Sequence, residues 1–260
     1  MIFKGKNHLI NKIVPWILPT FILVAWIVFT GDGAISSKIF PKPEKVLNSF
    51  IDLVKSGELF KNILISTERA LSGFVVGGGI GFILGFINGL SRKAENFLDS
   101  TVQMIRNIPH LALIPLVILW FGIGPEAKLL LISLGVFFPI YLNTFHGIRS
   151  IEPQLIEMGK VYGLKGFPLF KEVILPGALP SILVGVKQSL GIMWLTLIVA
   201  ETVAADSGIG YMAMNARELM LMDIIVLSII IYALLGKLSD VLAKLLEQRL
   251  LRWHPNFKKS

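Results

Sequence analysis

The chain has 260 residues, 54% of them hydrophobic and 16% charged, with a mean hydropathy of +0.72, and its long uncharged runs exclude an ordinary water-soluble domain. The 25 Lys and Arg against 17 Asp and Glu give a formal charge of +8, which in a polar chain would point to nucleic acid, but a membrane accounts for both numbers together. With no Cys there is no disulfide framework, thiolate nucleophile or Cys-based zinc site, and the four scattered His lack metal-ligand spacing.

A helix crossing the hydrocarbon core needs about 20 mostly apolar residues, and six stretches answer that description. Residues 13–31, 70–91, 107–125 and 129–148 carry no charge, 173–200 holds only Lys187, and 224–239 holds only Lys237. An even number puts both ends on one side. With the N-terminus inside, sixteen Lys and Arg fall on the inner face, seventeen with Lys187, against eight outside, while the acids divide seven to ten. Lys and Arg are retained in the cytoplasm, so N-in and C-in are predicted. The expected fold class is all-α, a polytopic membrane protein with six transmembrane helices, and residues 1–260 read as a single transmembrane domain. The alternative for the first span is a signal peptide, since Lys4, Lys6 and Lys12 precede it and Ala34, Ile35 and Ser36 form a small-x-small triplet. Its apolar run exceeds the roughly 7–15 residues of a signal h-region, which favours a retained helix.

Pro43 opens a segment in which Val46, Leu47, Phe50, Ile51, Leu53 and Val54 fall on one helical face and Glu44, Lys45, Asp52 and Lys55 on the other, with Gly57 as the stop. A short amphipathic helix is predicted at the outer interface or on neighbouring spans, either as a lid or as a docking surface for an external partner. In the second span Gly73, Gly77, Gly81, Gly85 and Gly89 recur every four residues, a groove for close helix packing that says little about substrate. Arg106 and His110, one turn apart at the inner end of the third span, form either a polar patch facing a pathway or, for Arg106, a positive-inside anchor. In the fourth span His146 reads as interfacial and Asn143 as a packing or pathway residue.

The connection 149–172 is no ordinary linker. Pro153 suits the first helical position, Leu155, Ile156, Met158 and Val161 carry a short helical pattern, Gly163 and Gly166 supply a turn, and a second short helix over 168–175 feeds the fifth span, where Pro176 and Pro180 bend the backbone. Such a rigid projection suits a membrane protein whose spans are moved from the cytoplasm. In the fifth span Lys187, Trp194 and Glu201 are seven apart and share a face, with Gly191 and Ile198 near the same line. That face is a candidate pathway lining; the alternative is snorkelling for Lys187 and an interfacial place for Glu201. Residues 207–218 read as a loop and short helix, either an external gate or binding-protein contact or a plain connector.

Glu157-Met158-Gly159, three residues, Gly163, nine residues and Val173-Ile174-Leu175-Pro176 resemble the EAA loop of ABC importer permeases, whose pattern is Glu-Ala-Ala, three residues, Gly, nine residues, Ile-x-Leu-Pro. Met158, Gly159 and Val173 depart from it; Glu157, Gly163, Leu175 and Pro176 hold. The stretches 106–116 (RNIPHLALIPL), 120–122 (WFG), 138–141 (FPIY), 191–201 (GIMWLTLIVAE) and 207–218 (SGIGYMAMNARE) are similar to the aliphatic sulfonate branch of that family, which also contains taurine, nitrate and thiamine-precursor permeases.

The resemblance implies a type I importer-like permease in the cytoplasmic (inner) membrane of a bacterium. It also implies pairing with a second copy, two separate ATPase subunits at the cytoplasmic face and substrate delivery by an external binding protein. ATP and Mg would be held by the ATPase and no cofactor by this chain. Residues 151–176 would be the coupling loop, with Glu157, Gly163, Val173, Leu175 and Pro176 its contacts to the ATPase. Independently, no phosphate-binding loop is found: Gly5-Lys6, Gly159-Lys160 and Gly236-Lys237 all lack its remaining positions. No nucleophile-and-base arrangement or metal cluster is expected either. For the pathway the candidates are Arg106, His110, Lys187, Trp194 and Glu201, because a sulfonate keeps its charge near neutral pH and must meet hydrogen-bond donors. A self-sufficient secondary transporter is the competing class, disfavoured by the scarcity of ionisable groups at mid-span.

Overall fold

The computed structural model describes residues 4–31 and 40–253, and among them every regular element is helical. In chain order these are α1 (Lys4–Gly31), α2 (Pro43–Lys55), α3 (Glu58–Leu90), α4 (Arg92–Arg106), a 3-10 turn (His110–Leu113), α5 (Ile114–Phe121), α6 (Pro125–Arg149) and α7 (Pro153–Val161). There follow a single turn, α8 (Phe167–Leu169), a π turn (Phe170–Ile174), α9 (Leu175–Ala204), α10 (Ile209–Glu218) and α11 (Met222–Leu250). The triplet Ala34, Ile35 and Ser36 lies outside the described residues.

Among the described residues, four helical stretches are long and apolar enough to cross a membrane: Glu58–Leu90, Pro125–Arg149, Phe167–Val203 and Met222–Leu250. The apolar part of α1, Trp16–Gly31, is a shorter apolar helix, about 24 Å long at 1.5 Å per residue. The third span expected over 107–125 is helical over 110–121 and follows a sharp bend. Arg92–Arg106 and His110–Phe121 meet at 77°, and the second piece, roughly 18 Å long, does not reach across a core of about 30 Å by itself. Pro109 explains the break, because it disfavours helical backbone at Ile108, whereas Pro115 sits in the first turn of α5, where a missing N–H is tolerated.

The chain divides into two compact units, residues 1–60 with 212–230, and 61–211 with 231–260. In the first, Trp26 Nε1 donates to Pro41 O at 2.9 Å and its ring lies 5.4 Å from that of Phe40. Helix α2 begins at Pro43 and ends on Ser56 before Gly57, whose φ is +75°. Of its predicted apolar face Val46 and Leu53 are buried, while Leu47, Phe50 and Ile51 are exposed. Lys45 Nζ reaches Asp223 Oδ1 at 3.2 Å and Ser49 donates to the same carboxylate, fixing α2 to the start of α11.

In the second unit α6 is central, with Ile132, Val136, Tyr141 and Thr144 fully buried. The glycine stripe of α3 lies on it. A Cβ at Gly73 would stand 2.5 Å from Ile132 Cγ2, at Gly81 2.6 Å from Phe137 O, at Gly85 2.6 Å from Tyr141 O and at Gly89 2.9 Å from Ile148 Cβ, while at Gly77 it would overlap the Ser133 backbone. Both residue series rise together, so α3 and α6 run parallel. On the other side Gly135 meets Ile192 and Thr196, and Gly147 meets Ala178 and Ser181, so α9 is antiparallel to α6. Contacts Trp194 to Ser239 and Glu201 to Tyr232 make α11 antiparallel to α9. Ile114 and Val117 of α5 pack with Ala127, Leu131 and Ala200, which seats the second half of the broken span on α6 and α9.

Candidate functional site

The elbow between α6 and α9 is built from its glycines outward. Helix α7 closes in a Schellman arrangement, with Leu164 N–H donating to Gly159 O and Gly163 N–H to Lys160 O, both at 3.0 Å; Gly163 takes the left-handed conformation this requires, with φ +86°. Gly159 is buried, and a Cβ there would stand 2.8 Å from Leu169 Cδ1 and 3.1 Å from Val173 Cγ2, so α7 rests directly on the segment that returns to the membrane. The π turn comes where the ring of Pro176 would press on the carbonyl of Glu172 in a regular helix. Ile148, Ile151, Leu169, Ile174, Ala178 and Ile182 form one core beneath. Phe170 meets Phe86 of α3 edge-on at 4.8 Å.

The opposite face of the elbow is bare. Val161 is 86% exposed, Tyr162 79% and Phe167 71%, with Leu155 and Met158 also exposed. Glu157 stands among them in solvent. Of the predicted coupling residues, Val173, Leu175 and Pro176 are half-buried under the elbow and Glu157 and Gly163 lie at its surface. A rigid core carrying an exposed apolar cap has the form of a docking surface.

The pathway candidates are arranged differently from the sequence expectation. Lys187, Trp194 and Glu201 do share a face of α9, and it is turned to α11. Lys187 Nζ lies 3.6 Å from Asp240 Oδ1, Trp194 Nε1 donates to Ser239 Oγ at 2.8 Å, and Tyr232 OH donates to Glu201 Oε2 at 3.1 Å. Glu201, 1% exposed, is enclosed. It accepts further from Ser66 Oγ at 2.8 Å, Gly210 N at 2.9 Å and Arg69 NH1 at 3.0 Å, so its carboxylate ties α3, α9, α10 and α11 together. Arg106 and His110 are likewise not one helical pair, because the 77° bend falls between them. Arg106 is exposed, while His110 Nε2 lies 3.1 Å from Thr196 Oγ1 on α9.

Arg69 and Arg149 stand at the edges of the uncharged stretches 70–91 and 129–148, and both are tied inward. Arg69 also donates to Ser207 O at 2.6 Å and Ser207 Oγ at 2.8 Å. Asn62 Oδ1 accepts from Gly208 N at 2.8 Å, so the loop after α9 is held throughout. Asp206 in that loop has its pKa lowered, chiefly by the hydrogen bond from the Ser207 hydroxyl. Near the elbow Arg149 pairs with Glu95, and Tyr141 OH accepts from Asn88 Nδ2 at 2.7 Å and donates to Asp99 Oδ1 at 3.3 Å, binding α4 to α6. The signal available in sequence was charge beside polar residues at span ends, which does not reveal partners more than fifty positions away.

Residues 77–252 match the family described as binding-protein-dependent transport system inner membrane component. Over 95% of this chain and 94% of the relative, the sequence is 58% identical to a protein of Escherichia coli (strain K12) named as an aliphatic sulfonates transport permease, SsuC. It is 45% identical to the Bacillus subtilis (strain 168) protein of the same name, over 93% of this chain and 88% of that one. The taurine transport system permease protein TauC of Escherichia coli (strain K12) is 32% identical over 91% and 88%. Among solved structures, a chain of an amino acid ABC transporter with histidines superposes with a TM-score of 0.59 at 18% identity, covering 77% of this chain and 98% of that one. A chain of the inward-facing MetNI methionine ABC transporter gives 0.51 at 18% identity, over 70% and 95%. The all-helical architecture is thus that of type I ABC importer permeases, and the chain belongs to the binding-protein-dependent transport system inner membrane component family, as a multi-pass permease subunit of the inner membrane.

Proposed function

We propose that this permease carries aliphatic sulfonates into the cell, as one of two copies in an importer whose ATP and Mg are held by two separate ATPase subunits and whose cargo arrives on an external binding protein. The observation that carries the cargo is the 58% identity, nearly end to end, to a protein named for aliphatic sulfonates; identity to the taurine permease falls to 32%. In this reading α1 and the broken pair complete six crossings with both ends inside, which puts the elbow and its bare apolar cap in the cytoplasm, against the ATPase. ATP binding draws the ATPase pair together, the elbows follow, and the path between the copies switches its open side.

The parallel run of α3 and α6, on either side of the broken pair, and the reversals at α9 and α11 are consistent with that topology, and the inner-side excess of Lys and Arg sets its sense. The test is reconstitution of the chain with its ATPase and binding protein in vesicles, comparing ATP-dependent uptake of ethanesulfonate, taurine and nitrate. Preferred uptake of ethanesulfonate is expected; preferred uptake of nitrate would overturn the cargo.

A further inference from the structure

On the seam between α6 and α9 two hydrogen-bonding side chains are reached from outside the protein. Asn143 of α6 donates both amide N–H bonds, to Pro139 O at 2.8 Å and to Gln188 Oε1 of α9 at 3.3 Å. With its oxygen so engaged, the exposed Gln188 presents its NH2 outward, and no described residue accepts from that group. Two turns further along α9, about 12 Å away, the half-buried His110 ring meets the buried Thr196 hydroxyl beside Gly135. Gly191 lies between them with open space where a side chain would stand. Gln188 and Thr196 both lie off the line of Lys187, Trp194 and Glu201 that is committed to α11.

An outward-pointing amide halfway along a spanning helix is unfavourable against hydrocarbon, and polar groups at this depth face protein or a water-filled cavity. The cation next to Gln188 in sequence, Lys187, is already engaged with Asp240, and Arg106, four positions before His110, lies on the other side of the 77° bend. We propose that Gln188, oriented by Asn143, and His110, oriented by Thr196, are successive hydrogen-bonding contacts of the permease's anion path. Hydrogen-bonding groups in series suit a path that must take up an anion and release it again, whereas one unpaired cation would retain it. The proposal rests on the reading of the chain as an anion importer.

The chain has no Cys, so single introduced thiols can be followed without background. In the complex reconstituted with ATPase and binding protein, Gln188→Cys is compared with Val75→Cys, on an exposed apolar flank of α3. The reagent is a membrane-impermeant methanethiosulfonate that carries a sulfonate group. Labelling at 188 is expected to be at least about tenfold faster, since a thiolate forms readily only in water-like surroundings. Gln188→Glu, which presents a negative acceptor in place of the donor, is expected to lower ethanesulfonate uptake about tenfold while ATPase stimulation by the loaded binding protein stays within about twofold. Equal labelling at both sites, uptake by Gln188→Glu at the unmodified rate, or a matching loss of uptake and ATPase stimulation would each overturn the proposal. Fast labelling at 188 in a complex that imports no ethanesulfonate would support the path and overturn the cargo.

Discussion

Arg69 and Glu201, 132 positions apart, meet at 3.0 Å where α3 and α9 approach the loop 205–208, with Glu201 buried and Arg69 only slightly open to solvent. Four protein donors saturate the carboxylate, and Gly208, with φ +103°, lies so close that a Cβ would strike it. Truncating Glu201 takes from the largely buried Arg69 its only buried carboxylate among the described residues, leaving it Ser207 and the exposed Asp206 at 3.7 Å. Glu201→Leu should therefore destabilise the subunit by about 3–5 kcal/mol, and Arg69→Met in the same chain should recover part of that loss. Thermal unfolding in detergent of the two single variants and the double variant checks this; additive losses would mean that the pair is not coupled.

The two faces of α3 make a paired prediction about its glycines. Gly81 abuts the Phe137 carbonyl, whereas Gly79 has nothing within 4 Å of a Cβ. Gly81→Leu should lower stability by at least about 1–3 kcal/mol through overpacking. Gly79→Ala should be neutral or stabilising by up to about 1 kcal/mol through helix propensity. Unfolding midpoints of both variants, measured side by side, provide the check.

How much of this was legible in the sequence follows from the range of each signal. The four-residue glycine spacing, the α2 pattern after Pro43 and the elbow between Gly163 and Pro176 are local, and each lies where its residues indicate. The heptad of Lys187, Trp194 and Glu201 shows that three residues share a face without showing what that face meets; Tyr232, Ser239 and Asp240 take it. The third span reads as continuous because hydropathy is blind to backbone, yet the chain bends sharply at Pro109, where the span begins. The Asn143 to Gln188 contact depends on the register of two helices 45 positions apart, which one sequence does not reveal.

At Gly163 the left-handed backbone separates shape from contact. Gly163→Val should strain the turn by about 1–2 kcal/mol and sharply reduce uptake, while Gly163→Asn, which tolerates this conformation, should keep most of it. Uptake by the two variants, scaled to the amount inserted in the membrane, distinguishes them.

The bare cap of the elbow should behave as an interface residue by residue. Val161→Asp, at a position 86% exposed, should leave the subunit's own unfolding within about 0.5 kcal/mol. It should weaken ATPase association by at least about tenfold, because a charge would be buried against apolar surface. Co-purification with the ATPase over a concentration series reads the second effect.

The central claim is that a motor on another chain drives this permease through the elbow. Its most direct test is ethanesulfonate accumulation in vesicles holding the permease and loaded binding protein, with the ATPase present or omitted and ion gradients imposed or collapsed. Accumulation that requires the ATPase and internal ATP and persists with all gradients collapsed is predicted. Accumulation at the full rate without the ATPase, driven by an ion gradient, would contradict it.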